Sequence, residues 1–144
     1  MRSILDLIQS LNETADLSAQ RDTFLRSVSE FGYDTLIFGM IADPTQSVPA
    51  EEMFWIDNVP KGWMQHYEVN NYAIADVAVA HCLHSDRVLM WQDLFDRIDA
   101  GKLDERNAIV QRDARDIGLQ TGFTKPLVGD GGGRAGISLL ARNT

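Results

Sequence analysis

Apolar residues recur along this chain with two different periods, and the changes of period divide it into elements. Ile4, Leu5, Leu7, Ile8 and Leu11 fall at helical spacing. A second helix is predicted from about Leu17 to Phe31, with Phe24, Leu25, Val28 and Phe31 on one face and Gly32 as its stop. From Thr35 to Ile41 the residues are β-formers, apolar on both faces. This stretch reads as a buried strand, with Leu36, Phe38 and Met40 on one side and Ile37, Gly39 and Ile41 on the other. A Pro-containing loop over Ala42–Ala50 and a short strand over Met53–Ile56 follow.

The helical period then returns. Pro60 suits the first turn of a helix. Trp63 and Tyr67 lie four apart and share a face. Asn70-Asn71 breaks that helix, and another starts near Asp76 and runs through Val77, Val79 and Leu83. An Asp at a helix start accepts from free backbone N–H groups, which is one explanation of Asp76. A longer helix spans Asp104 to Ile117, with Asp104 as N-cap and Gly118 just past its end. The last part reads as a hairpin of Gly122–Val128 and Ala135–Ala141, joined by Gly129-Asp130-Gly131-Gly132-Gly133. Helices, two strands, helices and a hairpin imply an α+β fold, an antiparallel sheet with helices packed on it.

The 144 residues suffice for one domain, 1–144, and no linker or repeat divides them. No apolar run reaches the length of a membrane span, and no signal peptide is evident at the start. The one cysteine, Cys82, rules out an internal disulfide and fits a reducing, cytoplasmic setting. The net charge is −8, with 13 Lys and Arg. Phosphate neutralisation dominates nucleic-acid affinity, so an acidic chain without a basic recognition helix is a poor DNA binder by itself.

Three features invite a chemical reading. A phosphate loop needs a helix N-terminus after its glycines, whereas a strand follows Gly133, so the cluster reads as a hairpin turn. His81, Cys82 and His84 resemble metal ligands, but adjacent helical residues diverge by about 100° and no third ligand follows at a zinc-like spacing. Asp104, Glu105, Asp113 and Asp116 read as a solvated helical face. There is no Ser-His-Asp elbow and no nucleotide fingerprint, so neither an enzyme nor a cofactor or metal site is expected.

The segment from Trp63 to Trp91 stands apart. It gathers Trp63, Tyr67, Tyr72, Asp76 and Trp91. Aromatics also fill cores, and spacing alone does not separate the two readings. The run Asn58-Val-Pro-Lys-Gly-Trp-Met-Gln-His-Tyr67, then Tyr72, Asp76-Val-Ala-Val and Trp91, resembles the autoinducer-binding domain of LuxR-type quorum-sensing regulators. Gly118-Leu-Gln-Thr-Gly122-Phe-Thr-Lys-Pro126 is similar to the family's G-x-x-x-G-x-x-x-P. Ser138, twelve residues past Pro126, falls where the family has Ser or Thr.

The resemblance implies an α-β-α sandwich with a central antiparallel sheet of about five strands and helices on both faces. It implies an acyl-homoserine lactone enclosed between sheet and helices. Trp63 would donate to the lactone carbonyl, Asp76 accept from the amide N–H, and Ser138 donate to the acyl carbonyl. Trp91 would pack on the ring, with Tyr67 and Tyr72 near the head group. Ile37, Gly39, Ile41, Val110, Ala114 and Leu119 would face the tail. Val59 stands where several members carry a Tyr, and Val77 where Pro usually follows the Asp. The family also implies a bacterial cytoplasmic protein, a homodimer, and DNA contact only through a helix-turn-helix domain outside these 144 residues. A sensor of a different small ligand, PAS- or GAF-like, and a naturally truncated regulator acting by heterodimerisation are the alternatives.

Overall fold

The computed structural model describes residues 16–42, 55–129 and 132–142. The apolar run Ile4–Leu11, Met53 and the hairpin tip at 130–131 lie outside the described residues.

Helix α1 (Leu17–Val28) opens on Asp16, whose carboxylate accepts from Ala19 N at 2.9 Å. Its final turn tightens into a 3-10 turn at Ser29–Phe31 and closes on Gly32 at φ 91°. The helix starts at Leu17 as expected, and the expected face is corrected at its C-terminal end. Thr23 is its buried residue, and Phe31 stands 64% exposed after the chain leaves α geometry.

Strand β1 (Thr35–Ala42) pairs with β2 (Trp55–Asp57) on one side. Helix α2 (Trp63–Val69) starts three residues after Pro60, with Gly62 rather than the proline turn at its N-cap. A 3-10 turn at Tyr72–Ile74 leads into α3 (Val77–His84). Strand β3 (Leu89–Met90) and helix α4 (Trp91–Asp99) follow, both unread in the sequence. The helical signal was present: Trp91, Leu94, Phe95 and Ile98 are all buried, at the spacing of one helix face. Helix α5 (Glu105–Asp116) is capped by Asp104, whose Oδ1 accepts from Asn107 N at 2.9 Å. Strands β4 (Thr121–Val128) and β5 (Arg134–Ala141) form the expected hairpin.

The five strands make one antiparallel sheet in the order β2-β1-β5-β4-β3. The fold is the expected α+β sandwich. Register decides what faces the helices. Ile37 pairs with Ser138, and Ser138 with Thr124, so one row across three strands presents all three side chains on one face. Gly39 and Gly136 form the next row on that face. A Cβ on Gly39 would meet the Trp55 ring at 2.3 Å, and one on Gly136 would meet Cys82 Sγ at 2.8 Å. The two glycines therefore let Trp55 and α3 close onto the sheet. Leu94, Leu119 and Leu140, each fully buried, anchor helices and sheet together.

Candidate functional site

Between this sheet face and α2, α3 and α5 lies a cavity of about 70 Å³. That is well above the roughly 10–15 Å³ one water needs, so it is more than a packing defect. Its wall is mostly apolar, with a few polar side chains turned into it, the usual make-up of a small-molecule site.

Eleven residues expected from the sequence line it: Ile37, Gly39, Ile41, Trp63, Tyr67, Asp76, Trp91, Val110, Ala114, Leu119 and Ser138. Tyr72 and Val59 do not. Tyr72 is buried in the aromatic cluster, and its hydroxyl donates to Asp113 on α5 instead of facing the cavity. That bond pushes its pKa up to about 12. Val59 packs from the side against the same cluster. The lining also contains Trp55, Thr124 and Gln111, whose roles the sequence left unmarked. Thr124 lies inside the G-x-x-x-G-x-x-x-P stretch, and its alternation with Phe123 was the available signal. Gln111 sits on a helix face between Val110 and Ala114, where a polar residue in an apolar stripe was the signal.

Among the described residues, Asp76 is the one carboxylate in the lining. It does cap α3, with Oδ1 accepting from Ala78 N at 2.9 Å, but capping uses only part of it. Gln111 Nε2 donates to the same oxygen at 2.8 Å, and Tyr67 Oη donates to Oδ2 at 2.7 Å. Burial raises the carboxyl above its ordinary value and outweighs these donors, which pull it down. Burial, reinforced by the Asp76 charge, raises the Tyr67 phenol as well, so Tyr67 remains a donor.

The aromatic wall comes from α2. Trp63 and Tyr67 are both buried, with ring centroids 6.1 Å apart, and Trp55 reaches Tyr67 from β2 at 6.3 Å. Among the described residues, nothing accepts from the Trp63 indole N–H, and no side-chain N or O there is buried without a partner. That donor is therefore open.

A second polar chain crosses the sheet side. Trp91 Nε1 donates to Thr124 Oγ1 at 2.7 Å, and Thr124 Oγ1 lies 2.7 Å from Ser138 Oγ. The indole can only donate, so the Thr124 oxygen accepts there. When Thr124 donates its hydroxyl hydrogen to Ser138 Oγ, the Ser138 hydroxyl is left to donate into the cavity.

The histidines have local duties. His81 contacts the Arg87 carbonyl at 2.6 Å, and His66 lies 3.2 Å from Asp113. Among the described residues, no three His, Cys, Asp or Glu are grouped to hold a metal, and no helix is long and apolar enough to cross a membrane.

A family model described as the autoinducer binding domain matches residues 16–144. By sequence, the chain is similar to the transcriptional activator protein BjaR1 of Bradyrhizobium diazoefficiens. The two are 28% identical over 138 residues, which cover 96% of this chain and 55% of that protein. By fold, it is similar to CepR2 from Burkholderia cenocepacia, described as an N-acylhomoserine lactone dependent LuxR family transcription factor. The TM-score is 0.75 at 16% identity, covering 97% of this chain and 77% of that one. It is also similar to SdiA in complex with octanoyl-rac-glycerol, with a TM-score of 0.67 at 20% identity, covering 100% of this chain and 59% of that one. The chain spans about half the length of the curated relatives it matches. On the family match, which takes in the cavity and every element around it, the chain belongs to the autoinducer-binding domains of LuxR-type quorum-sensing regulators.

Proposed function

We propose that residues 1–144 form one sensing domain that encloses an acyl-homoserine lactone in the cavity between the sheet and α2, α3 and α5. One observation carries this reading: Asp76 and Trp63, whose indole N–H meets no acceptor among the described residues, both line the same mainly apolar cavity. An acyl-homoserine lactone presents the matching set, a ring carbonyl, an amide N–H and an apolar tail. Trp63 donates to the ring carbonyl. Asp76 accepts from the amide N–H, a charge-assisted bond of about 1.5–3 kcal/mol. Ser138, polarised through Trp91 and Thr124, donates to the acyl carbonyl. Trp91 and Tyr67 flank the head group. Ile37, Gly39, Ile41, Val110, Ala114 and Leu119 take the tail, each buried CH₂ contributing about 0.8 kcal/mol.

The domain binds and does not turn over its ligand. Asp76 is committed to three donors, and among the described residues the cavity lining pairs no nucleophile with a base. Cys82, the most nucleophilic side chain there, has its thiol pushed up to about 11 by burial. DNA is met by a helix-turn-helix domain outside these residues, in a cytoplasmic homodimer of the complete regulator.

A second reading, a ligand with a hydroxylated head in place of the lactone amide, is supported by the octanoyl-rac-glycerol held by the similar protein SdiA. Asp76 accepts from a hydroxyl as readily as from an amide. Mass spectrometry separates these readings. The chain is incubated with an acyl-homoserine lactone and 1-octanoyl-glycerol together, and the retained molecule is extracted. Intact lactone is expected. Retained glyceride alone supports the second reading, and ring-opened or deacylated lactone contradicts a purely binding role.

A further inference from the structure

Gln111 is the most deeply buried polar residue of the cavity wall, 2% exposed. Its orientation follows from its partner. Asp76 Oδ1 is an acceptor, so the amide NH₂ faces it at 2.8 Å and the carbonyl Oε1 is turned elsewhere. Among the described residues no donor reaches Oε1, and none of their side-chain N or O atoms is fully buried without a partner. Oε1 therefore keeps an open surface. Gln111 is almost wholly buried and lines the cavity, so that opening is the cavity itself. Its neighbours on α5, Val110 and Ala114, are apolar and buried, and offer it nothing. An acceptor left unmet in an apolar enclosure is costly, and a donor on the ligand removes the cost.

Resting on the lactone reading of the cavity, we propose that Gln111 determines ligand specificity: its Oε1 accepts a hydrogen bond from a 3-hydroxyl on the acyl chain. The position follows from Asp76. With the ligand amide N–H on that carboxylate, groups within reach of Gln111 lie a few bonds from the amide nitrogen. On the lactone side the ring carries only acceptors. On the acyl side the carbons just past the carbonyl are the place where a donor is found. A hydroxyl there meets Oε1, a methylene leaves it unmet, and a 3-oxo group sets acceptor against acceptor. The cavity thus ranks 3-hydroxyacyl above unsubstituted, and unsubstituted above 3-oxoacyl chains.

The test uses the 144-residue chain and three probes of equal length: N-(3-hydroxyoctanoyl)-, N-octanoyl- and N-(3-oxooctanoyl)-homoserine lactone. Dissociation constants are measured for wild type and for Gln111→Met, which keeps the length and loses both polar atoms. Wild type is expected to bind the hydroxy probe about 5- to 10-fold tighter than the octanoyl probe, with the oxo probe weakest. In Gln111→Met all three weaken together, because Asp76 loses a donor, and the hydroxy preference falls to about 1. A preference that survives in Gln111→Met overturns the assignment. So does a wild type that binds the oxo probe as well as the hydroxy probe, whether or not the variant folds; both results leave the lactone site itself standing. Wild type that binds none of the three removes the lactone reading and this specificity with it.

Discussion

Tyr67 holds Asp76: the phenol on α2 donates to Oδ2 of the N-cap residue of α3 at 2.7 Å. A bond between two helices that also borders the cavity makes the aromatic wall and the carboxylate a single unit. Tyr67→Phe keeps the ring and removes the donor. The expected result is a loss of about 0.5–1.5 kcal/mol in lactone affinity, roughly 2- to 10-fold by titration calorimetry, together with a lower ligand-free melt, because the buried Oδ2 loses its donor in both states. In a cycle with Asp76→Asn the two losses are non-additive. Additive effects would separate the pair.

The second prediction concerns Asp76 and pH. Burial raises its pKa above the ordinary value of 3.8 despite the Tyr67, Ala78 and Gln111 donors. A carboxyl with a raised folded pKa holds its proton more tightly folded than unfolded. It contributes stability below about the ordinary value, and that contribution is lost as the pH rises through the raised one. The ionised Asp76 is thus a cost in the ligand-free protein at neutral pH. Asp76→Asn keeps the shape and the helix cap and removes the charge. The variant is expected to melt higher than wild type at pH 7, to lose that advantage toward pH 4, and to bind lactone more weakly. A variant that melts lower at pH 7 would contradict the cost assigned to the carboxylate.

Thr124 carries the third prediction. It accepts from Trp91 and meets Ser138, both inside the fold. Thr124→Val leaves the buried indole N–H without an acceptor, at about 1–3 kcal/mol of stability. Ser138→Ala leaves the Trp91–Thr124 bond in place, so the fold changes less while ligand binding weakens. Chemical denaturation and lactone titration on the two variants separate the roles. Equal stability losses would mean that Thr124 is only one of two equivalent hydroxyls.

Much of this arrangement was readable from residue order. Trp63 and Tyr67 share a wall because four residues return a helix to the same face, and Asp76 and Asp104 cap helices because their residue type and place require it. The hairpin register follows from alternation, which sends Ser138 and Thr124 to the same side. What escaped was set by contacts between distant segments. The resemblance puts Tyr72 near the head group, and its hydroxyl donates to Asp113, 41 residues away on α5. Gln111 reaches Asp76 across 35 residues, a pairing that no local period carries. Helix α4 is legible from Trp91, Leu94, Phe95 and Ile98 at helical spacing, although Trp91 groups in the sequence with the aromatics before it.

This cavity is proposed as an acyl-homoserine lactone site. The most direct test is the thermal melt of the 144-residue chain against lactones of four to fourteen acyl carbons, roughly the range an apolar tail site takes. A ligand that binds only the folded state adds about 2.7 kcal/mol at 100 times its dissociation constant. A concentration-dependent rise in melting temperature is predicted for at least one lactone, and the same ligand should leave Asp76→Ala unmoved. A melt unchanged by every lactone in the series would contradict the account.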